Sequence, residues 1–418
     1  MSPRKFADNG TSVDEIHRLI DAMRQADTRW DDRKNLKASY DPGKEVTDLA
    51  WYAYTQFRGD NLLYGKLLYP SLIEMAADVV GMALDLLGGG PTSTGTITSG
   101  GTESIVLAVK SARDWARSTR GQTGQLEIIL PFTGHAAFTK AAELMDIRVV
   151  RAELDKGVTS SAEALAELVT ENTFMIVGSA PAFPMGCTDD ITGFAQIARK
   201  NNLWMHVDAC VGGFFLPFAA GLGEQITPFD FGIPEVRSMS ADLHKYGYTS
   251  RGASLILLRE QEDIAFQEFS FDQWPTGKFV TATIAGSRPG GAIASAWTVM
   301  NYLGRSGYEQ RVAKIIAARK KVQSAIDQME DLMTLGKPEA GIIGIAARAG
   351  LDMSKVSQSI MSKGWKFSPL YEPPGLNVLL NQYHLETIDE FIEDLADAAD
   401  EVRSGTFSES KIELGYGG

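Results

Sequence analysis

Apolar runs of strand length alternate with helical patterns through the middle of this chain. The apolar runs span 126–130, 148–152, 174–177, 203–207, 236–240 and 254–258. The helical patterns between them span 103–116, 136–145, 162–168 and 191–200. This alternation predicts an α/β fold with an open, mostly parallel sheet covered by helices. Because ligands in such sheets bind beyond the carboxyl ends of the strands, residues that directly follow a strand are the first candidates for a site.

The two ends of the chain carry different patterns. Residues 13–23 predict an amphipathic helix, and residues 46–87 form a helical pattern that ends at a Gly-rich breaker. Two further helices are predicted at 292–303 and 307–329. Alternating strand and helix patterns then span 341–346, 353–363, 376–381 and 387–403. The domains predicted from these patterns are an N-terminal segment (1–60), a large domain (61–305) and a small C-terminal α/β domain (306–418).

Composition narrows the possible function classes. The 418 residues include 40 Lys and Arg against 53 Asp and Glu, which gives a formal net charge of −13 and argues against a broad nucleic-acid-binding surface. Only Cys187 and Cys210 are present, so a disulfide framework and a multi-cysteine metal site are excluded. No apolar stretch approaches the ~20 residues of a membrane-spanning helix, and the N-terminus lacks the apolar core of a signal peptide. We therefore expect a soluble, cytoplasmic protein without a transmembrane anchor.

A Gly-rich segment at 96–104 directly precedes a predicted helix. Gly100 and Gly101 allow a tight turn, and Thr102 adds a hydroxyl beside the free amides of a helix start, an arrangement that suits a phosphate group. The spacing matches neither a dinucleotide-binding fingerprint nor a P-loop. An ordinary Gly-rich capped turn is the alternative interpretation of this segment.

Asp208 ends the apolar run at 203–207. Its carboxylate could serve as a base, a magnesium ligand or a partner for a heterocyclic N–H, and the alternative is a strand-end Asp that caps the next turn. Cys210 and the two glycines after it leave little side-chain bulk near one face of a bound molecule. We therefore take Cys210 as a contact candidate, although a buried cysteine more often acts as a small apolar residue than as a nucleophile.

Lys245 follows the apolar run at 236–240 and lies among His244, Tyr246 and Tyr248. Such surroundings can favour the neutral amine that Schiff-base chemistry requires. The alternative is a lysine in a structural salt bridge. Taken together, a phosphate cradle, a strand-end Asp and a Lys 37 residues later fit pyridoxal phosphate (PLP), with His135 as a candidate to stack on the ring. A capping or core histidine is the alternative for His135.

Six sequence segments resemble the fold type I PLP enzymes of the group II decarboxylase superfamily. They are TSGGTES (98–104), HAAFTKAAE (135–143), HVDACVGGFFLPF (206–218), SADLHKYGY (240–248), TIAGSRPGG (283–291) and KGWKFSPLYEPP (363–374). HVDA and HK mark the superfamily as a whole and suit amino-acid decarboxylases equally well. SADLHKYGY together with AGSRPGG is similar to the sphingosine-1-phosphate lyase family in particular.

This resemblance implies a role for each matching residue. Lys245 would be the Schiff-base lysine, Asp208 the partner of the pyridinium nitrogen, and His135 the residue stacked on the ring. The residues implied around the cofactor phosphate are Gly100, Gly101, Thr102 and His244, with Gly290 and Gly291 reaching the phosphate of a neighbouring subunit's cofactor. Tyr40 aligns with the family's active-site tyrosine. The resemblance also implies a homodimer with shared active sites.

Two positions depart from the family pattern, and both belong to substrate handling. Tyr64 stands where the lyases usually have His, and Arg251 replaces a Lys six residues after the Schiff-base lysine. Arginine keeps the positive charge and can bind a phosphate or carboxylate bidentately, but it is a poorer proton carrier.

The resemblance implies retro-aldol cleavage of a phosphorylated long-chain amino alcohol to a fatty aldehyde and phosphoethanolamine. The candidates for proton handling and substrate-phosphate binding are Tyr40, Tyr248 and Arg251. One alternative is an α-decarboxylase for an amino-acid substrate, and another is a catalytically silent scaffold. Intact Lys245, Asp208 and His135 argue against the scaffold, which has no chemical need for that set.

Overall fold

The computed structural model describes residues 6–29, 31–37, 39–155, 158–348 and 350–407. Its strands are β1 (Thr94–Thr98), β2 (Leu126–Pro131), β3 (Ile147–Ala152), β4 (Thr173–Ser179), β5 (Trp204–Asp208), β6 (Val236–Ala241), β7 (Ser254–Leu258), β8 (Phe269–Phe271), β9 (Phe279–Thr281), β10 (Leu332–Thr334), β11 (Ile342–Ala347), β12 (Ser368–Tyr371) and β13 (Pro374–Leu379). Its helices are α1 (Val13–Arg24), α2 (Lys44–Gln56), α3 (Pro70–Leu86), α4 (Gly101–Thr119), α5 (Ala136–Leu144), α6 (Ala162–Glu167), α7 (Ile191–Asn201), α8 (Leu216–Gly221), α9 (Ile264–Gln267), α10 (Gly290–Gln328), α11 (Met353–Ser362) and α12 (Ile388–Ser404).

A seven-stranded sheet forms the centre of the large domain. Its strand order is β1-β7-β6-β5-β4-β2-β3, and all pairings are parallel except those that β7 makes with β1 and β6. Every residue of β2, β4, β5 and β7 is buried, because helices cover both faces of the sheet. The predicted α/β class and the six predicted strands are confirmed.

Strand β1 was not predicted by the hydrophobic pattern. Its sequence, TGTIT, contains one large apolar residue and follows the Gly-rich breaker directly. It forms the edge of the sheet because β7 offers it an antiparallel partner, in register from Thr94↔Leu258 to Thr98↔Ser254. This tertiary pairing outweighs a weak local preference.

The continuous helical pattern predicted for 46–87 is wrong. The structure has α2, a break around Asn61 and then α3, which begins with Pro70. The Asn61 side chain accepts hydrogen bonds from the amides of Leu63 (3.1 Å) and Arg288 (3.0 Å), so it fixes the break against a distant loop. The two helices predicted at 292–303 and 307–329 belong to α10, which has non-helical dihedral angles at Gly304 (φ 51°).

The small domain is built on a four-stranded antiparallel sheet in the order β10-β11-β13-β12, with α11 and α12. The N-terminal segment joins this sheet through Leu36. The amide of Leu36 donates to the carbonyl of Lys366 (2.7 Å), and its carbonyl accepts from the amide of Leu379 (2.9 Å). The division at 1–60, 61–305 and 306–418 stays a prediction. In the ranges of the chain that the structure describes, none of the helices combines the length and the hydropathy that a membrane span requires.

Candidate active site

A cavity of about 420 Å³ lies where β4, β5 and β6 end and α4 begins. Eight of the residues selected from the sequence line it together: Gly100, Gly101, Thr102, His135, Asp208, Cys210, His244 and Lys245. The remaining lining residues are Ser99, Glu103, Ile105, Ser179, Pro181, Phe183, Val211 and Asp242. The position matches the rule that ligands bind beyond the carboxyl ends of the strands in such a sheet.

The start of α4 forms an anion cradle on one side of this cavity. The amides of Gly101 and Thr102 belong to the first helical turn, where amides lack a partner within the helix. A side chain at position 101 would not fit, because its Cβ would lie 2.9 Å from both Asp242 Oδ1 and Cys210 Sγ. Glycine therefore lets the start of α4 pack closely against Asp242 and Cys210 at the edge of the cavity.

Glu103 braces the cradle, a role that the sequence analysis missed. Its Oε2 accepts hydrogen bonds from the amide (2.7 Å) and the hydroxyl (2.6 Å) of Ser99. Its Oε1 accepts from the amides of Ile284 (2.8 Å) and Ala285 (3.2 Å), so one buried carboxylate joins the cradle to the TIAG segment. The acidic residue in the first turn of a helix was the available signal.

Asp208 presents its carboxylate to the cavity at the end of β5. Its Oδ1 accepts hydrogen bonds from the amide of Cys210 (3.1 Å) and the hydroxyl of Ser240 (3.1 Å). No residue in the described part of the chain donates to Oδ2, so this oxygen is the one available to a ligand N–H. Burial raises the pKa of the Cys210 thiol well above its usual range, which agrees with a small apolar contact and not with a nucleophile.

Lys245 is paired with Asp242, which corrects the expectation of a neutral amine. The Lys245 Nζ lies 2.9 Å from Asp242 Oδ2. Burial alone would lower the pKa of Lys245, but the Asp242 carboxylate outweighs it and raises that pKa. The pKa of Asp242 is lowered, since Lys245 and His244 outweigh its own burial. Before any ligand arrives, the pair is therefore charged, as in the salt-bridge interpretation of this lysine.

Two histidines line the cavity in defined orientations. His135 caps α5, because its Nδ1 accepts a hydrogen bond from the amide of Ala137 (3.1 Å). The Nδ1 of His244 lies 2.6 Å from the carbonyl oxygen of Ala253, which can only accept, so His244 donates from this nitrogen. Burial lowers the pKa of both imidazoles, which keeps them neutral at neutral pH.

A second cavity of about 270 Å³ adjoins the first, with His244 in the wall that they share. It brings together the three residues selected for substrate handling: Tyr40, Tyr248 and Arg251. Tyr248 has a strained backbone (φ 61°), and its buried hydroxyl has no hydrogen-bond partner among the described residues. Burial raises the pKa of Tyr248, so its phenol stays protonated and can donate.

Gly290, Gly291 and Tyr64 line neither cavity. The amide of Gly290 donates to the carbonyl of Asp60 (2.9 Å), and the expectation that Gly290 and Gly291 reach the cofactor phosphate of a neighbouring subunit stays a prediction. A Cβ at position 291 would lie 2.8 Å from the Tyr54 carbonyl oxygen, so close helix packing accounts for this glycine. Tyr64 is 51% exposed on the surface.

The site accommodates PLP on its own chemistry. The cradle at Gly101 suits the phosphate, Asp208 Oδ2 suits the pyridinium N–H, and Lys245 supplies the amine for the aldehyde. The fold and the site together define a fold type I PLP-dependent enzyme.

The chain belongs to the pyridoxal-dependent decarboxylase family. The sequence profile of the pyridoxal-dependent decarboxylase conserved domain matches residues 27–347, and the cofactor is pyridoxal phosphate, as predicted. The chain is 40% identical to sphingosine-1-phosphate lyase of Arabidopsis thaliana over 81% of its own length, and it spans 62% of that protein. It is 33% identical to sphingosine-1-phosphate lyase 1 of Rattus norvegicus, over 94% of this chain and 69% of the rat protein.

Solved structures agree with this assignment. The sphingosine-1-phosphate lyase of Burkholderia pseudomallei superimposes with a TM-score of 0.92 at 31% identity, over 97% of this chain and 94% of that one. Glutamate decarboxylase of Lactobacillus brevis superimposes with a TM-score of 0.82 at 20% identity, over 96% and 95% of the two chains. The second comparison shows a shared fold. The resemblance to the sphingosine-1-phosphate lyases is confirmed.

Proposed function

We propose that the protein is a PLP-dependent carbon–carbon lyase that cleaves a phosphorylated long-chain amino alcohol of the sphingosine-1-phosphate type. The products would be a fatty aldehyde and phosphoethanolamine. The observation that carries the proposal is the pair of adjoining cavities, one with Lys245 and Asp208 and the other with Tyr40, Tyr248 and Arg251. The relatives named sphingosine-1-phosphate lyase support the same substrate class.

Each residue has a defined task in this proposal. Bound PLP supplies an electron sink for the electron pair released when the Cα–Cβ bond of the substrate breaks. Asp208 Oδ2 would accept a hydrogen bond from the ring nitrogen, and His135 would contact the ring. Lys245 would supply the amine that holds the cofactor aldehyde. His244 lies in the wall that the two cavities share and would contribute to holding the cofactor phosphate.

Substrate recognition is assigned to the second cavity. The Arg251 guanidinium binds the substrate phosphate. Arg251 thereby provides a local positive charge in a protein whose net charge is −13. Tyr248 remains protonated because burial raises the pKa of its phenol, so it donates a hydrogen bond to a substrate oxygen. The reaction moves one proton from the β-hydroxyl of the substrate to Cα, and Tyr40 is the candidate that handles it.

The decisive experiment compares two substrate classes. Holoenzyme is incubated with dihydrosphingosine-1-phosphate and, separately, with a panel of L-amino acids. We expect a fatty aldehyde and phosphoethanolamine from the first incubation. Carbon dioxide with a primary amine from the second, without aldehyde from the first, would contradict the lyase proposal. It would support the α-decarboxylase alternative, in which Arg251 orients an acidic substrate.

Failure of the protein to bind PLP would indicate the scaffold alternative. Purified protein incubated with PLP should acquire the visible absorbance of lysine-bound cofactor, and borohydride should abolish it. The variant Lys245→Ala should show neither the absorbance nor turnover. Wild-type protein that never acquires the absorbance would contradict the cofactor chemistry itself.

We further propose that the protein forms a homodimer with shared active sites and that it is cytoplasmic. Several large apolar side chains in α2 and in the segment between α2 and α3 are exposed: Trp51, Tyr52, Tyr64, Leu67 and Leu68. The β8–β9 hairpin exposes Phe269 and Phe271 as well. Exposed apolar surface of this kind is typical of an interface. Sedimentation analysis should give twice the mass of the chain, and a monomer at micromolar concentration would contradict this proposal.

A further inference from the structure

A row of buried, hydrogen-bonded side chains reaches Asp208 from inside the sheet. The row consists of Trp204, Ser238, His206 and Ser240. The Nε1 of Trp204 donates to Ser238 Oγ (2.7 Å), and that oxygen lies 2.8 Å from His206 Nδ1. The Nε2 of His206 lies 3.4 Å from Ser240 Oγ, which donates to Asp208 Oδ1 (3.1 Å). The first four residues have no solvent-exposed surface. The row is therefore isolated from water along its length.

Strand geometry explains why these residues meet. Trp204, His206 and Asp208 occupy every second position of β5, so their side chains lie on the same face of the sheet. On the neighbouring strand β6, Ser238 pairs with His206 and Ser240 pairs with Asp208. Two adjacent parallel strands thus place alternating donors and acceptors in one row that ends at the cavity.

The hydrogen bonds of the row all donate in one direction, from the Trp204 indole towards the Asp208 carboxylate. An indole N–H can only donate, so Ser238 Oγ accepts it. At the other end a carboxylate can only accept, so Asp208 takes the only Ser240 proton. His206 therefore donates from Nε2 to Ser240 and, as a neutral imidazole, accepts the Ser238 proton at Nδ1. Burial lowers the pKa of His206 to about 4, which keeps every donor in the row uncharged at neutral pH.

The indole at the far end is itself anchored. The Arg237 guanidinium lies 4.2 Å from the centre of a Trp204 ring, and Arg237 forms two hydrogen bonds with Asp263 (2.8 and 2.6 Å). Trp115 contacts the same indole edge to face, at 5.9 Å between ring centres. These contacts fix the first donor of the row.

We propose that Trp204, Ser238, His206 and Ser240 act together as positioning residues for Asp208. The row holds Oδ1 through Ser240, which leaves Oδ2 directed at the nitrogen of the bound cofactor. Because its members are uncharged, the row orients the carboxylate without bringing a second cation to compete with the pyridinium group. The inference rests on the cofactor assignment and is independent of which substrate the enzyme cleaves.

The test measures PLP binding without substrate. Apoenzyme variants Ser238→Ala and Ser240→Ala are titrated with PLP by equilibrium dialysis, and the visible absorbance of the bound cofactor is recorded. Each variant should weaken binding about tenfold, the scale of one hydrogen bond to a charged group. Ser238→Thr, which keeps the hydroxyl, should restore binding to within about threefold of wild type. The matched control is Ser357→Ala, since Ser357 is a buried serine of the small domain that donates to its own helix.

A double-mutant cycle separates a connected row from independent structural losses. If the row is connected, Ser238→Ala adds little to Ser240→Ala, whereas independent effects would add. Trp204→Phe keeps the ring and removes only the N–H, and it is tested in the same cycle if Ser238→Ala does not fold. Additive losses, or a Ser238→Ala affinity equal to that of the Ser357→Ala control, would overturn the proposal. Wild-type protein that binds PLP but yields no aldehyde would refute the lyase function and leave this inference intact.

Discussion

The ion pair between Lys245 and Asp242 makes the variant Asp242→Asn informative. The two side chains approach to 2.9 Å, and 1% of the Asp242 side chain is exposed against 21% of the Lys245 side chain. Asparagine keeps the shape and removes the charge. Burial then acts on the pKa of Lys245 without the opposing carboxylate, so this pKa should fall below its ordinary value.

The size of the stability loss follows from this geometry, and so does its dependence on pH. Removing one partner of a buried ion pair costs about 3–5 kcal/mol, and the partial exposure of Lys245 reduces the expected loss of unfolding free energy to about 2–3 kcal/mol. The pKa of Lys245 is raised in the folded wild type, so the pair contributes fully at neutral pH and its contribution is lost as pH rises through that pKa.

The assay follows the capture of PLP by apoenzyme over a range of pH values, using the visible absorbance of the lysine-bound cofactor. Only the neutral amine reacts, so the midpoint of the capture rate should move to lower pH in Asp242→Asn. Urea unfolding of the same samples measures the stability loss. Glu224→Gln serves as the control, because Glu224 is paired with Arg319 and Lys320 away from the cavity. Identical capture profiles for wild type and Asp242→Asn would refute the reasoning.

Three other outcomes are expected. Glu103→Gln should lower the free energy of unfolding by about 1–3 kcal/mol and weaken PLP binding, since Glu103 accepts four hydrogen bonds; unchanged urea midpoints would contradict this. Tyr248→Phe should leave stability within about 0.5 kcal/mol, because its hydroxyl has no partner among the described residues, yet slow turnover of dihydrosphingosine-1-phosphate about tenfold or more; equal turnover would remove Tyr248 from the site. The pKa of His206 is lowered from 6.5 to about 4, so stability should fall as pH drops between these values, and His206→Asn should make that part of the stability profile less steep, with His384, whose pKa burial also lowers to about 4, contributing to the slope that remains.

The sequence alone predicts those strands of the sheet whose two faces are both buried. The runs at 126–130 and 254–258 were recognisable as strands because both faces of the sheet are covered, which makes every position apolar. Strand β1 was not recognisable, since its only strong determinant is the partner β7, which lies more than 150 residues later in the chain. The break at Asn61 likewise depends on a hydrogen bond to the distant Arg288 amide.

In the candidate site, too, some residues could be predicted from the local sequence, whereas other properties depend on contacts formed only in the folded protein. Residues that directly follow strands, such as Asp208 and Lys245, could be selected from their position alone. The charge state of Lys245 could not, because Asp242 opposes the effect of burial and its distance to the amine depends on the turn between them. Tyr40 was identified through the family resemblance, since nothing in its local sequence indicates that it reaches the site.

The anchoring of Leu36 has a consequence for movement within the protein. Main-chain hydrogen bonds tie Leu36 to the small-domain sheet, whereas Tyr40, four residues later, packs edge to face on Tyr246 of the large domain at 4.9 Å between ring centres. The N-terminal segment therefore contacts the small domain at Leu36 and the large domain at Tyr40. Because Tyr40 also lines the second cavity, we expect the shape of that cavity to change if the small domain shifts relative to the large one.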